Sequence, residues 1–515
     1  MNKRLVFSAY ITLSALAATA QTETGNYRWN DATQLWRQTQ NASALTVDSG
    51  ATRGVVRLDY EHSGGDFYRV QQGKGGNSVQ LFTERYQPIS KTLYGYGRFS
   101  FNMSHEKDRS WADVSRPYNS NPFFVGSSRK ASYDDWNIDL AAAVATKSLN
   151  GWRIGMKLDY RLGDLTRLLD PRSRSETTNY RITPAISYTH EQHTVGLSAY
   201  YDRRKEKIPS VSMLSEADYN YYLMSGLENA QGILSGYNGF NREWVNHQFG
   251  AELSYGYRNP EGFSTVNTIG ISRGSEGVYG TYKYEPGHFY DYHYTFSTQN
   301  RLQSDNLLHE IDFNIDVCQA YADEYHQQLV VTTDSVTGYK SYRYDTQIEF
   351  KKRYQVQTLA LSARYQLDFT RANAINGYVG LTFAMNNASN KHLLRDSKLS
   401  YGGADLTLVG GKEIAHRLWI DAQAGMYFAK DAELSLYDES TDYAQQVLIP
   451  DMQVLKSSYT HARLKLTYQF PLTVKKRQST WFVSAFAEAL RTNKPDGYTT
   501  SLNRRTFGIS LGIFN

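Results

Sequence analysis

Apolar and polar residues alternate with a period of two along most of the chain. The clearest run extends from Trp152 to Leu162, where large apolar residues alternate with Arg, Gly, Lys, Asp and Arg. The chain ends in the same way, because Phe507, Ile509, Leu511 and Ile513 are separated by small residues. A period of two is that of a β-strand with one apolar face. The pattern predicts strands with an apolar face for lipid and a slimmer polar face for a lumen.

Connections between the predicted strands alternate between short and long. The short ones fall near 85–91, 148–151, 190–193, 259–262, 301–305, 369–374, 414–417 and 471–479. The long ones fall near 106–133, 164–178, 206–243, 276–287, 323–349, 388–397, 431–454 and 492–502. Bacterial outer-membrane barrels combine short periplasmic turns with long extracellular loops. The fold class predicted is therefore all-β, a transmembrane antiparallel β-barrel.

The predicted barrel has 16–18 strands, which places both termini in the periplasm. Two segments, 53–62 and 76–84, are the optional strands. The other sixteen are 91–105, 134–147, 151–163, 179–189, 194–205, 244–258, 262–275, 288–300, 305–322, 350–368, 375–387, 398–413, 417–430, 455–470, 480–491 and 503–514.

Two details of these strands give further expectations. Pro184 removes a ladder donor inside a predicted strand, so we expect a bulge there. Five tryptophans lie at strand ends, and we expect them in the aromatic girdles at the membrane interfaces. The alternative for them is packing in the core. They are Trp136, Trp152, Trp244, Trp419 and Trp481.

The N-terminus has the pattern of an export signal. Lys3 and Arg4 precede an apolar stretch, and a small-x-small cleavage site precedes Gln21. We expect a signal peptide at 1–20, an N-terminal periplasmic or lumenal plug-like segment at 21–52 and an outer-membrane β-barrel at 53–515. In the plug-like segment, Asp31 is expected to cap a short helix that ends at Gln38.

Composition agrees with a barrel. The mean hydropathy of −0.57 is too polar for a helical membrane protein, whereas a barrel needs only half of each strand to be apolar. Aromatic residues make up 14% of the chain, with 41 tyrosines. Without Lys3 and Arg4 the formal net charge falls from +5 to +3, so we expect no nucleic-acid partner. The single cysteine, Cys318, excludes an internal disulfide, and we expect no cofactor and no metal.

Charged residues on the predicted lumen face are the candidate pore lining. A charged pore wall selects ions by sign. The alternative is a mixed network that braces the barrel by cross-strand pairs, because acids such as Asp139 and Asp312 are also predicted to face inward. The candidates are Arg153, Lys157, Asp159, Arg161, Arg181, Arg463 and Lys465.

Two predicted outer loops have their own candidate chemistry. In the first, Arg167, Arg172 and Arg174 could hold a carboxylate or phosphate by forked hydrogen bonds. Alternatively, neighbouring aspartates satisfy these arginines and fix the loop. In the second loop, 206–243, Ser215 is expected to cap a helix that stops at Gly226 and either constricts the pore, covers the rim or meets a partner.

The tyrosine-rich alternating strands, the export signal and the Arg-Leu-Gly-Asp to Asp-Pro-Arg loop at 161–172 resemble an outer-membrane β-barrel family of Bacteroidota. Residues 40–45 are similar to the Asn-Ala-Ala-Gly-Leu stretch near the start of long-chain fatty-acid-transporter-like barrels, although Ser43 and Ala44 replace Ala and Gly. In those barrels the N-terminal segment plugs the lumen. The resemblance implies a barrel in the outer membrane of a Gram-negative bacterium and brings no catalytic residues.

The sequence predicts transport, through an outer-membrane channel or facilitated-transport pore for a small solute. Such a pore could work beside a larger outer-membrane receptor or a lipoprotein, and membrane lipid and lipopolysaccharide are its expected surroundings. The alternative is a non-conducting barrel whose loops bind a partner protein or secreted substrate. We expect no enzyme and no catalytic residues, because no nucleotide-binding motif occurs and the best histidine cluster, 190–193, falls in a predicted turn.

Overall fold

The alternating segments form a closed antiparallel β-barrel in the computed structural model, which describes residues 23–48, 52–215, 219–233, 240–415, 417–474 and 477–514. Eighteen long strands make the barrel, each paired with the strand before and after it, and the last strand pairs with the first. At this closure Arg57 faces Gly512 across the ladder. The fold class and the predicted strand count are confirmed, and both optional strands exist.

The barrel strands are β1 (Arg53–Gly65), β2 (Gly75–Pro88), β3 (Leu93–Arg109), β5 (Ala131–Thr146), β6 (Trp152–Arg167), β7 (Arg172–His190), β8 (His193–Ile208), β12 (Arg242–Arg258), β13 (Phe263–Tyr279), β14 (Gly287–Ser304), β15 (Leu307–Thr333), β16 (Lys340–Arg371), β17 (Ala374–His392), β18 (Ser397–Ile414), β19 (Leu418–Ser435), β20 (Tyr459–Val474), β21 (Arg477–Thr492) and β22 (Asn503–Phe514). Four short strands lie in the long connections: β4 (Val125–Ser127), β9 (Val211–Ser212), β10 (Tyr221–Met224) and β11 (Ala230–Ile233).

The outside of the barrel is a continuous apolar surface. Ile154, Ile269, Leu408 and Ile509 are each about 60% exposed, and many other Leu, Ile, Val and Phe side chains lie beside them. Water-soluble proteins do not expose an apolar patch of this extent. A closed barrel leaves no strand edge unpaired, which is the condition for a sheet to cross hydrocarbon. The protein is therefore located in the outer membrane.

The strands are longer than predicted at the end with the long connections, which we call the extracellular end. The predicted loop 323–349 is mostly a hairpin, because β15 and β16 stay paired from Glu324 to its tip at Thr333 and Lys340. The opposite, short-turn end is called the periplasmic end. Pro184 makes no bulge, since β7 and β8 keep one register on both sides of it. The ladder is only interrupted there, so the predicted bulge is wrong.

The helices belong to segments that are not part of the barrel wall. An α-helix at Glu23–Thr33 is followed by 3-10 turns at Leu35–Gln38 and Ala42–Thr46, so Asp31 lies inside the helix and does not cap it. A short 3-10 turn follows β13 at Thr281–Lys283, and a π-helix at Ala444–Leu448 continues into an α-helix at Ile449–Leu455. No helix among the described residues is long and apolar enough to cross a membrane.

Two sequence expectations about the extracellular end and the tryptophans are wrong. The predicted loop helix starting at Ser215 falls partly outside the described residues, and its later part is the strand β10 because Tyr221 and Tyr222 pair with β4 and β11. Trp152 is half exposed, as a girdle residue would be, but Trp244 and Trp419 are buried on the lumen side. These two take the core alternative, since protein and not lipid lies against them.

Candidate functional site

Residues 23–48, here called the plug segment, lie inside the periplasmic end of the barrel. Thr46 Oγ1 donates to the carbonyl of Thr146 at the end of β5 (3.0 Å). Arg301 Nε, near the end of β14, donates to the carbonyl of Ala32 (2.8 Å). These two contacts are made to well-separated strands of the wall, and both are next to short turns. The plug segment therefore occupies the periplasmic mouth.

Glycines on the lumen face make room for this segment. A Cβ at Gly155 would lie 2.3 Å from the backbone nitrogen of Ser43, and one at Gly256 would lie 2.7 Å from the Trp36 ring. Gly196 is equally close to Asn41. Any side chain at these three wall positions would overlap the plug segment. The wall is therefore shaped to hold it.

Ion pairs attach the plug segment to the wall. Arg28 Nη2 lies 2.7 Å from Asp421 Oδ1 on β19, and Arg258 Nη2 on β12 lies 2.8 Å from Asp48 Oδ1. Lys157 Nζ on β6 donates to Gln40 Oε1 (3.0 Å). Charge-assisted bonds of this kind are stronger than neutral ones, yet water can replace them.

Burial and charge compete at these attachments. Burial raises the pKa of Asp48, and the nearby Arg258 guanidinium acts against that rise. Burial is the largest single influence and lowers the pKa of Arg28, but the Asp421 carboxylate and the Tyr378 hydroxyl together outweigh it, so the net shift of the pKa is upward. Arg28 therefore stays a cation in its buried position.

Small apolar contacts complete the seat of the plug segment. Leu35, Trp36 and Ala44 pack with Val266 of β13, and Ala32 packs with buried Trp419 and its neighbours. These clusters contain only a few residues each. The polar contacts therefore make a large share of the attachment.

A cavity of about 620 Å³ remains on one side of the plug segment, between it and strands β1, β2 and β20–β22. We call it the interface cavity. Its polar lining includes Arg53, Arg57, Arg463 and Lys465, and its aromatic lining includes Phe486. Gly508 and Gly512 widen the cavity. The rings of Phe486 and Phe482 lie against the wall in the space that a Cβ at each glycine would occupy. The plug segment thus leaves a charged space along the wall.

The extracellular end is closed differently, by long connections that fold inward and form an apolar cluster called the outer core. Trp111 packs on Tyr222 and Tyr443, with ring centroids 4.3 and 5.3 Å away. Trp244 Nε1 donates to the carbonyl of Phe123 (2.7 Å). The cluster also contains Ala112, Val114, Phe124, Val125, Tyr221, Met224, Leu227, Val278, Phe289, Tyr354, Leu399, Val447, Leu448 and Met452.

Polar links tie the outer core to the connections around it. Asp451 of the loop helix accepts from Arg69 Nε (2.9 Å) and from the backbone of Val70 (2.8 Å). Asn119 donates to the Tyr401 hydroxyl (2.9 Å). Three connections and the wall therefore meet over the lumen. Beneath them lies a second cavity of about 470 Å³, whose lining includes Arg116, Arg204, Asp291 and His293.

The structure distributes the predicted pore-lining residues around the lumen wall, each with its own partners. Lys157 and Asp159 lie 3.2 Å apart, and Arg161 pairs with Asp139. Arg181 pairs with Asp202 at 3.0 Å, and Arg153 donates to Thr189. Arg463 and Lys465 line the interface cavity. Arg463 and Lys465 thus come together at one cavity.

The three predicted loop arginines do not meet at one point. Arg167 is buried at the end of β6, where it donates to the Tyr133 hydroxyl (2.6 Å) and to backbone carbonyls. Arg172 pairs with Asp170 at 3.0 Å, and Arg174 pairs with Asp164 at 2.5 Å.

Asp170 also fixes the neighbouring connection. Its Oδ2 accepts from the backbone nitrogens of Leu214 and Ser215 (3.0 and 2.9 Å). Burial acts to raise the pKa of this carboxyl, but those two N–H donors and Arg172 outweigh burial and lower the pKa to about 2. The aspartate is therefore a stable anion that braces the loop.

No sequence pattern predicted a role for several residues that matter here. Arg28 and Asp48 lie in a segment without strand periodicity, and Arg258 ends a strand at a short turn. Nothing in their spacing reveals that they meet. A lumen-facing glycine opposite larger residues is the signal that could have located the seat of the plug segment. Among the described residues, no group of three His, Cys, Asp or Glu side chains is placed to hold a metal ion.

Comparisons with known proteins place the chain in a family. No curated protein matches the sequence. Similar solved structures include a mutant ferric enterobactin receptor of Pseudomonas aeruginosa in complex with enterobactin (9% identity, 91% of this chain, 82% of that chain, TM-score 0.42). Others are the ferric yersiniabactin uptake receptor of Yersinia pestis (9%, 90%, 80%, 0.39) and a copper transporter (10%, 90%, 81%, 0.38). These three are not fatty-acid-transporter-like barrels, and such low TM-scores support no functional inference.

The family assignment rests on sequence alone. The expected origin in Bacteroidota stays a prediction. The family model covers residues 42–515, which is the barrel together with the end of the plug segment. The chain therefore belongs to DUF6850, a family of unknown function.

Proposed function

We propose that this barrel is a gated outer-membrane transporter for a small polar solute, held closed in the present conformation. The observation that carries the proposal is the interface cavity beside the plug segment, a charged space of about 620 Å³ within the lumen. A barrel of this strand number encloses an aqueous channel unless something fills it. Here the filling is partial, and the remaining space is polar on the wall side. The proposal contains no catalytic step.

The plug segment is the proposed gate on the periplasmic side. Its attachments are ion pairs and hydrogen bonds such as Arg28–Asp421 and Arg258–Asp48, which exchange for water at small net cost. The outer core, by contrast, buries many aromatic side chains and is expensive to open. Movement of the plug segment is therefore the easier of the two openings. A receptor or lipoprotein in the outer membrane is a suitable partner to trigger the opening on the extracellular side.

The alternative function is a non-conducting barrel whose loops bind a partner protein or secreted substrate. The hairpin of β15 and β16 favours it, because this ribbon continues beyond the neighbouring strands and exposes Val336 and Tyr339 at its tip. Exposed apolar side chains on a rigid ribbon are typical of interaction surfaces. The two functions differ in whether ions can cross the barrel.

Planar-bilayer conductance separates the two functions. Three proteins are compared: the complete mature chain, a variant lacking residues 23–48, and a variant with Arg258→Ala and Asp421→Ala, which removes both ion pairs. We expect small or rare currents from the complete chain, frequent openings from the double variant and steady currents from the deletion. If neither altered protein conducts although both show the heat-modifiable mobility of a folded barrel, the transport proposal is wrong and the binding alternative takes its place.

A further inference from the structure

We propose that the interface cavity is a binding site for a small organic oxyanion, a carboxylate or a phosphate. This deepens the proposed transport function by naming the class of solute. The cavity size of about 620 Å³ falls in the range of small-molecule sites. Its charged lining contains more cations than carboxylates. The cations are Arg28, Arg37, Arg53, Arg57, Arg463 and Lys465.

Two wall cations of this cavity, Lys465 and Arg463, are incompletely paired. Among the residues that the structure describes, no carboxylate oxygen lies within 4 Å of Lys465 Nζ. Arg463 Nη1 approaches Glu488 only to 3.7 Å, and its guanidinium lies over the Phe486 ring at 4.2 Å. Both side chains come from the same face of β20, two residues apart, so they point into the same space. An anion between them would supply negative charge close to both cations.

A second side of the cavity offers a buried donor. Arg53, at the start of β1, pairs with Asp31 of the plug segment through Nη1, yet its buried Nε donates to no acceptor among the described residues. Burying a guanidinium nitrogen without an acceptor is costly. The cavity therefore presents an unused donor on one side and two underused cations on the other.

The aromatic lining limits the class of ligand. Phe82, Phe482 and Phe486 line the same space, and the Arg57 guanidinium lies over Phe82 at 4.5 Å. Arg57 Nε lies 2.9 Å from Asp59 Oδ2, and an arginine stacked on an aromatic ring can still direct its Nη donors to a carboxylate or phosphate. The rings meanwhile offer apolar surface to a carbon skeleton. The combination fits an organic anion better than a bare inorganic one.

Equilibrium binding to the purified mature protein in detergent tests this site. The probes are citrate, glycerol 3-phosphate and inorganic phosphate, with glucose and choline as neutral and cationic controls, measured by isothermal titration calorimetry at low salt. We expect saturable binding of at least one organic oxyanion, and weaker binding of inorganic phosphate. The controls should not bind. If neither citrate nor glycerol 3-phosphate binds, or if choline binds as well as they do, the proposal is overturned.

Variants locate the binding. Lys465→Gln and Arg463→Gln should each weaken the affinity for the organic oxyanion about tenfold, while Arg181→Gln, which removes a lumen cation paired with Asp202 elsewhere on the wall, should change it less than twofold. Unchanged affinity in both cavity variants overturns the proposal. Heat-modifiable mobility shows which variants are folded, and each single substitution is sufficient if the other fails to fold. Anion binding to the cavity needs no conducting state of the barrel. A protein that binds the anion but never conducts would therefore contradict the transport function and leave the binding site supported.

Discussion

At the scale of single residues, glycines determine what fits inside the barrel. Gly155, Gly196 and Gly256 lie under the plug segment, and Gly508 and Gly512 lie under the phenylalanine rings of the interface cavity. In each case the absent Cβ leaves the space that another part of the chain occupies. The slim polar face of the last strand, visible in the sequence, is therefore packing space and not open pore wall.

The seat of the plug segment can be tested at Gly256. A valine there would overlap the Trp36 ring, whose atoms lie 2.7–2.9 Å from the position of a Cβ. Overpacking of this kind costs about 1–3 kcal/mol, so we expect Gly256→Val to displace the plug segment while the barrel stays folded. Trypsin cleavage at Arg28 and Arg37 should become faster in this variant.

The matched control is Gly97→Val on β3, where an added Cβ meets nothing within 4 Å. Cleavage at the two plug-segment arginines should proceed at the wild-type rate in that control. Equal cleavage rates in Gly256→Val and in wild type would mean that the Trp36 seat does not hold the plug segment.

The charges of the lumen face were predictable, but their partners were not. Strand alternation alone places Lys157, Arg181 and Lys465 inward, because their neighbours on both sides are large and apolar. The ion pair of Arg28 with Asp421, however, joins residues 393 positions apart. No local pattern encodes such a contact, since it depends on where the closed barrel holds the plug segment.

At the scale of elements, the sequence predicts strands well where one face meets lipid. At the extracellular end, beyond the membrane, both faces of a strand meet water or protein, and the apolar–polar alternation disappears. For this reason the paired strands within 323–349 and 206–243 were not recognised in the sequence, and both segments were predicted as loops. The helix of the plug segment, predicted to run from Asp31 to Gln38 and found at Glu23–Thr33, was misplaced for the converse reason. It is surrounded by the polar lumen and needs no continuous apolar face.

The projecting part of the β15–β16 hairpin should be dispensable for folding. Residues 327–346 pair with each other, whereas β14 pairs with β15 only up to Glu324 and β17 pairs with β16 only from Tyr354 onward. Replacing 327–346 with Asn-Gly should therefore leave the barrel folded, with a change in melting temperature of less than about 4 °C. Circular dichroism in detergent measures this change.

A substitution in the outer core supplies the contrast. Trp111→Ala removes a side chain that is 1% exposed and packed on Tyr222 and Tyr443. We expect it to destabilise the outer core by about 3–5 kcal/mol, which would be seen as new protease sites in the long connections. If the shortened hairpin unfolds the barrel and Trp111→Ala produces no new protease sites in the connections, the assignment of the two regions is wrong.

At the scale of the whole molecule, closure of the sheet was predictable. The sequence predicts a plug-like N-terminal segment but leaves open whether it is periplasmic or lumenal, and it does not predict the contacts of that segment. An even number of strands with alternating short and long connections leads to a closed barrel. What fills the lumen depends on many individually small contacts between distant segments. The plug segment lies in the periplasmic mouth and the outer core lies over the lumen at the other end, and this arrangement makes gating the central question of function.

The outer-membrane assignment itself rests on the lipid-facing surface, and β19 allows a test on a single strand. Met426 is 49% exposed on the outside, and Gln423 faces the lumen three residues away. Arginine near the middle of the hydrocarbon layer costs about 2–4 kcal/mol in a barrel, whereas the lumen accepts charge. We expect Met426→Arg to lower the unfolding free energy in lipid vesicles by that amount and Gln423→Arg to change it by less than about 1 kcal/mol. Equal effects of the two substitutions in urea titrations would show that Met426 does not face hydrocarbon.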